Sequence, residues 1–264
     1  MTASFNGTHA FLQNFALDGQ VALITGAARG LGWEIARAMA SSGAHVILNG
    51  RDRAALQQAA DTLRNAGLAA SIAPFEVGDG KATQRAIDAI ETVHGRLDIL
   101  VNNVGARHRQ RLHQFTDDAI QALIDSNLTG AILLAREATR LMLKRRHGRL
   151  IAITSIAGHV ARPGDAIYTA TKAGLTGLVR ALAAEFGPHG ITSNAIAPGG
   201  FATEANASML SDPAARRHFE QRTPLGRWGN PGEIAGAAVF LASSAASYVN
   251  GHILVVDGGM TISM

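Results

Sequence analysis

The 264-residue chain is 47% hydrophobic and 17% charged, which excludes disorder, and no apolar run reaches the ~18 residues a membrane helix needs. Its 24 Lys and Arg against 20 Asp and Glu give a net charge of +4, dispersed and without interleaved aromatics, so neither nucleic acid nor a membrane is an expected partner. With no cysteine, disulfides, zinc–thiolate sites and thiol catalysis are ruled out, and no metal is expected. The opening stretch MTASFNGTHAFLQNF lacks a basic segment followed by an apolar one, so it does not read as a signal peptide and a cytoplasmic location is expected.

In chain order, strands are predicted at Val21–Thr25, Ala44–Leu48, Ser71–Val77, Leu97–Asn102, Arg149–Thr154, Thr192–Ala197 and Ile253–Val256, each a short apolar run. Helical patterns lie near 31–42, 53–66, 81–94, 117–146, 166–186 and 232–243. The fourth closes on KRRHGR, 144–149, where cations suit the negative helix end. Such alternation predicts an α/β fold: one doubly wound (Rossmann) domain over residues 1–264, with a seven-stranded parallel sheet and helices on both faces. The long irregular stretch 199–232 follows the sixth strand and carries Phe201, Met209, Leu210 and Phe219. It is a candidate substrate lid, the alternative being a disordered insertion.

The first strand runs into TGAARGLG, 25–32. Gly26 allows a tight turn, Gly30 lets the backbone approach a pyrophosphate, and Gly32 permits close packing of the next helix, whose N-terminus faces the phosphates. At the end of the second strand, VILNGRDR places uncharged Asn49 and Gly50, then Arg51, where many dinucleotide folds present a carboxylate to the ribose. Arg51, helped by Arg29, is expected to hold a 2′-phosphate, so NADP(H) is preferred and NAD(H) remains possible. Asp52 reads as a helix N-cap; the competing possibility is that it turns inward to the ribose.

YTATK puts Tyr168 and Lys172 four residues apart on one helix face. An ammonium beside a phenol would lower its pKa toward a useful range, although such a pair also occurs on ordinary surface helices. Ser155 ends a strand thirteen residues earlier, and Asn127 sits inside a helical pattern; either alone reads as structural.

Taken together, TGAARGLG, NNVG at 102–105, Asn127, Ser155, YTATK, PGGFAT at 198–203 and VDGG at 256–259 resemble the short-chain dehydrogenase/reductase family along nearly the whole chain. The resemblance implies hydride transfer between a nicotinamide and a carbonyl/alcohol carbon. In it, Tyr168 is the proton donor or acceptor, Ser155 holds the reacting oxygen, Lys172 binds the nicotinamide ribose, and Asn127 holds a water leading from Lys172 to solvent. It further places Leu31 at the phosphates, Asn103 and Gly105 beside the adenosine half, Glu76 and Val77 at adenine, and Pro198, Gly199, Phe201 and Thr203 around the nicotinamide. Glu76 stands where aspartate is commoner, and Val104 where alanine is usual.

Finer likeness, in APGGFATEAN and TPLGRWGNPGEIAGAAVFLAS among others, points to a gluconate 5-dehydrogenase branch; 3-oxoacyl-acyl-carrier-protein reductases and polyol or sugar dehydrogenases remain open. The same resemblance implies a homotetramer, with VVDGGMTISM in its interface. Two other classes are less economical. A catalytically silent nucleotide-binding regulator would be expected to lack Tyr168 or Lys172, and a Ser-His hydrolase would need a G-x-S-x-G elbow around Ser155. Arg107, Arg109 and Arg111, after the fourth strand, are candidates to hold a substrate carboxylate, against the alternative of solvated loop charges.

Overall fold

The computed structural model describes residues 11–263, so the first ten residues of the opening stretch lie outside the described residues. Seven strands pair in parallel in the order β3-β2-β1-β4-β5-β6-β7. They are β1 Val21–Ile24, β2 His45–Gly50, β3 Ala70–Pro74, β4 Ile99–Asn102, β5 Gly148–Ile153, β6 Ile191–Pro198 and β7 Ile253–Val256. The longer helices are α1 Gly30–Ser41, α2 Arg53–Asn65, α3 Gly80–His94, α4 Asp117–Ile124, α5 Gly130–Arg145 and α6 Ala166–Phe186, then α7 Ala207–Ser211, α8 Pro213–Gln221 and α9 Ala235–Ala242.

Every residue of β1, β5 and β6 is buried, as a parallel sheet covered on both faces requires. One apolar core gathers Ile24, Ile35, Met39, Leu48, Leu56 and Leu241 under α1, α2 and α9. The opposite face packs Leu23, Ile87, Ile90, Leu134 and Met142 under α3 and α5. β1 lies between β2 and β4, so successive crossovers leave it in opposite directions and open a crevice at the carboxyl ends of β1 and β4.

Two expectations shift. β3 stops at Pro74 rather than Val77, because after Phe75 N–H bonds to Gly50 the chain turns at Glu76 toward the Asp79 cap of α3. The continuous helix expected over 117–146 is broken by a π-helical turn, Asp125–Thr129, between α4 and α5. An i→i+5 turn inserts one extra residue and re-aims its side chains, and here it buries Asn127.

The 199–232 stretch is ordered as a 3₁₀ turn, α7 and α8. Phe201 and Phe219 are both buried. Phe219 stacks on Trp228 with centroids 3.9 Å apart, and a side chain at Gly200 would run into its ring. Phe201 packs on Gly229 within the core. These aromatics anchor the ends of the excursion, and Met209 and Leu210 are left partly exposed between them.

Candidate active site

The glycine turn folds as its residues dictate. Gly26 and Gly30 have φ of 61° and 59°, a region L side chains rarely enter, and a Cβ on Gly32 would collide with the Gly26 carbonyl. Asn103 donates from Nδ2 to the Thr25 carbonyl at 2.9 Å, and the buried Thr25 hydroxyl accepts from the Asn103 and Val104 N–H groups, tying the ends of β1 and β4 together. Helices α2, α3, α4 and α8 are N-capped by Asp52, Asp79, Thr116 and Asp212. Arg29, the exposed N-cap residue of α1, provides no side-chain cap. The first N–H groups of α1, Leu31 among them, are thus available to an anion at the crevice.

Ser155 follows β5 in extended conformation, and its Oγ accepts from Ala157 N–H at 3.1 Å. Tyr168 and Lys172 lie on α6, with the Lys172 ammonium 5.7 Å from the Tyr168 ring centroid. Lys172 is buried and donates to the Ile153 carbonyl at 3.0 Å; burial lowers its pKa to about 8. A Cβ on Gly105 would stand 3.0 Å from Lys172 Nζ, so the loop after β4 passes directly over it. The Asn127 amide brackets that loop, accepting from Ala106 N–H at 2.7 Å and donating to the Ala106 carbonyl at 2.9 Å and to Thr171 Oγ1 at 3.1 Å.

The Tyr168 phenol departs from the expectation that Lys172 would lower its pKa. Burial dominates and raises it, aided by the Asp165 carboxylate and opposed by the Ser155 hydroxyl and the Arg107 guanidinium. Arg107, not Lys172, is the nearer cation, with Cζ 4.9 Å from the ring centroid.

The arginines after β4 behave differently from the substrate-holding expectation. Arg107 grips both oxygens of Asp165, with Nε to Oδ1 at 3.0 Å, and Arg109 reaches the same carboxylate at 3.4 Å. Asp165 has no exposed side-chain surface. Burial alone would raise its pKa, but the two guanidinium groups outweigh it and hold the carboxyl below its ordinary range. Arg111 is exposed and starts a short 3₁₀ turn. Asp165 was not among the residues singled out from sequence, since an aspartate before a helix reads as a routine cap.

With crevice and constellation placed, similarity decides the class. A family model described as enoyl-(acyl carrier protein) reductase matches residues 26–261, and the gluconate 5-dehydrogenase of Gluconobacter oxydans is 41% identical over 95% of this chain and 98% of its own. The chain belongs to the short-chain dehydrogenase/reductase family. A galactitol 2-dehydrogenase from Cereibacter sphaeroides is 44% identical over 94% of this chain and 97% of its own. A crystal structure of a gluconate 5-dehydrogenase from Burkholderia cenocepacia J2315, in complex with NADP and tartrate, superposes with a TM-score of 0.93 at 41% identity, covering 96% of this chain and all of that one.

As a short-chain dehydrogenase/reductase this chain is an oxidoreductase acting on hydroxyl and keto groups, and its crevice fits a dinucleotide: glycines where a side chain would intrude, and a helix start without a cap. Not every expected contact survives. The Asn49 side chain is fully buried and donates to the Ala73 and Phe75 carbonyls, both at 3.0 Å, so it ties β2 to β3 instead of facing a ribose. Val77 is buried against Gly130, and Phe201 is part of the core. Asp52 caps α2 through Ala54 and Ala55 N–H at 2.9 and 3.1 Å, which answers the alternative that it turns inward. Arg51 is exposed, 3.6 Å from Glu76. Pro198 and Gly199 close β6, and Thr203 faces Gly30 across the crevice.

The buried ammonium of this short-chain dehydrogenase/reductase leaves a signature in stability. Lys172 titrates near 8 folded against 10.5 ordinarily. Between these values the unfolded chain binds a proton the folded one lacks, so this site's contribution to stability rises with pH, by about 1.4 kcal/mol per unit. Below about pH 8 that gain is absent. Urea denaturation of wild type and Lys172→Met, followed from about pH 7 to about pH 10, should show this rise in the wild type alone; parallel curves would mean the ammonium is not depressed.

Proposed function

We propose that this short-chain dehydrogenase/reductase transfers hydride between NADP(H) and the carbonyl/alcohol carbon of a small sugar acid, in the manner of a gluconate 5-dehydrogenase. The observation carrying the reading is the convergence of Ser155, Tyr168 and buried Lys172 at strand ends beside an uncapped glycine turn. A bound nicotinamide supplies or accepts the hydride. Tyr168, whose phenol keeps its proton at neutral pH, donates that proton to the carbonyl oxygen during reduction and receives it back during oxidation. Ser155 holds the same oxygen through its hydroxyl, and Lys172 is placed to bind the nicotinamide ribose. Asn127 is a positioning residue: through Ala106 it fixes the loop over Lys172, and it borders the route by which a water would reach that ammonium. Glu76 and Arg51 meet the adenosine end, with Arg29 on its other side. The excursion from Glu204 through α8 serves as the lid, hinged on its anchored aromatic ends.

The sugar-acid choice is supported by the Gluconobacter relative and by the neighbour holding NADP with tartrate, itself a hydroxy acid. The 44% identity to a galactitol dehydrogenase favours a polyol as the second reading. Assembly as a homotetramer belongs to the proposal, supported by exposed apolar Tyr248, Val255 and Ile262 around the β7 edge. A panel of sugar acids, polyols and 3-ketoacyl thioesters, each assayed with both nicotinamide cofactors, tests it. Highest kcat/KM is expected for gluconate or 5-ketogluconate with NADP(H); a polyol or thioester turned over more efficiently would replace the sugar-acid assignment.

A further inference from the structure

At the mouth of the site, the carboxylate that faces the arginines is Asp165. Arg107 and Arg109 are committed to Asp165. Arg162 lies on the loop between Ser155 and Tyr168, and Asp165 N–H bonds to its carbonyl at 3.2 Å, so its backbone is fixed to the same buried aspartate. Its guanidinium is half-buried, and among the described residues no ion pair or side-chain hydrogen bond holds it. Burial first, then repulsion from Arg109, Arg107 and Arg222, pulls its pKa below the ordinary arginine value, and Asp165 offsets only part of this. Arg222 is the exposed C-cap residue of α8, within the 199–232 excursion.

A half-buried, unpaired guanidinium among like charges is unfavourable until an anion arrives, and at a functional site that imbalance marks what the site is built to receive. We propose that Arg162, joined by Arg222, is the anchor for the substrate carboxylate, while Arg107 and Arg109 hold Asp165 and thereby the approach to Tyr168. This rests on the sugar-acid reading above and assigns the residues that enforce it. A guanidinium fork matches a carboxylate in two parallel hydrogen bonds, which a neutral polyol or ketose cannot supply. Arg222, coming from the excursion, links recognition of the acid group to closure over it.

The test compares Arg162→Gln and Arg222→Gln with wild type, using 5-ketogluconate and a neutral six-carbon ketose, each with saturating NADPH. The expected result for Arg162→Gln is an acid-over-neutral preference in kcat/KM reduced about 10²-fold, carried by KM for the acid and not by kcat, as loss of a desolvated charge pair predicts. Arg222→Gln, on an exposed lid position, should show the same direction to a smaller extent, and Arg162→Lys should restore part of the loss. Quenching of protein fluorescence by NADPH verifies folding of each variant. A preference within threefold of wild type in both glutamine variants overturns the anchor. If instead the wild type itself favours the neutral ketose, the sugar-acid reading falls and takes the anchor with it.

Discussion

Tyr168→Phe is expected to lower kcat by roughly 10²–10⁴-fold, the usual range for removing a general acid–base group, with cofactor affinity nearly unchanged. The ring would remain where it is, with Arg107 4.9 Å and Lys172 5.7 Å from its centroid, and the exchange adds no volume. Ser155 Oγ would keep its bond from Ala157 N–H. What disappears is the one hydroxyl at this point able to deliver or take the proton. Steady-state rates with 5-ketogluconate, together with NADPH binding followed by fluorescence, separate lost chemistry from lost fold. Turnover within threefold of wild type would remove Tyr168 from its role.

Arg51→Asp should shift cofactor choice just as sharply, raising KM for NADP by about 10²-fold while changing KM for NAD far less. The wild-type guanidinium is exposed, with Glu76 3.6 Å away as its one ion-pair partner among the described residues. Such a loose surface pair contributes little and gives way readily to a phosphate, which the planar fork of donors fits better. An aspartate in its place would repel the 2′-phosphate and accept hydrogen bonds from a free 2′-hydroxyl. Buried Asn49 cannot compensate, because its amide nitrogen is already bonded to two carbonyls of the β3 segment. A wild-type kcat/KM higher with NAD than with NADP would refute this assignment of Arg51.

Features encoded within a few residues could be read from the chain alone. β7 ends where expected, the glycine turn takes the left-handed angles at Gly26 and Gly30, and Asp52 caps α2. Period and cap chemistry are local properties, so they need no tertiary knowledge. Asn49 misled because a strand-end position gives no hint of whether a neighbouring strand will claim its amide. The contacts of Phe201 and Phe219 were equally illegible: apolar residues in a long loop suit a lid or an anchor alike, and the stack on Trp228 joins residues that no local pattern pairs. The Arg107–Asp165 pair joins residues 58 apart in sequence, and no pattern along the chain announces such a bond. Arg162 went unremarked for the same reason, since its isolation is a fact about three other arginines.

The π-helical turn at Asp125–Thr129 also governs where this enzyme can tolerate a change in length. Removing one residue inside α4 or α5 would swing everything beyond it by about 100° around the helix axis and turn apolar faces outward. Within the turn, the same deletion would absorb the surplus residue and join α4 to α5 as one regular helix, with both flanks still facing their partners. The shortened protein would keep its architecture and forfeit the clasp on Ala106, so the surplus residue serves the loop over Lys172 and not the fold.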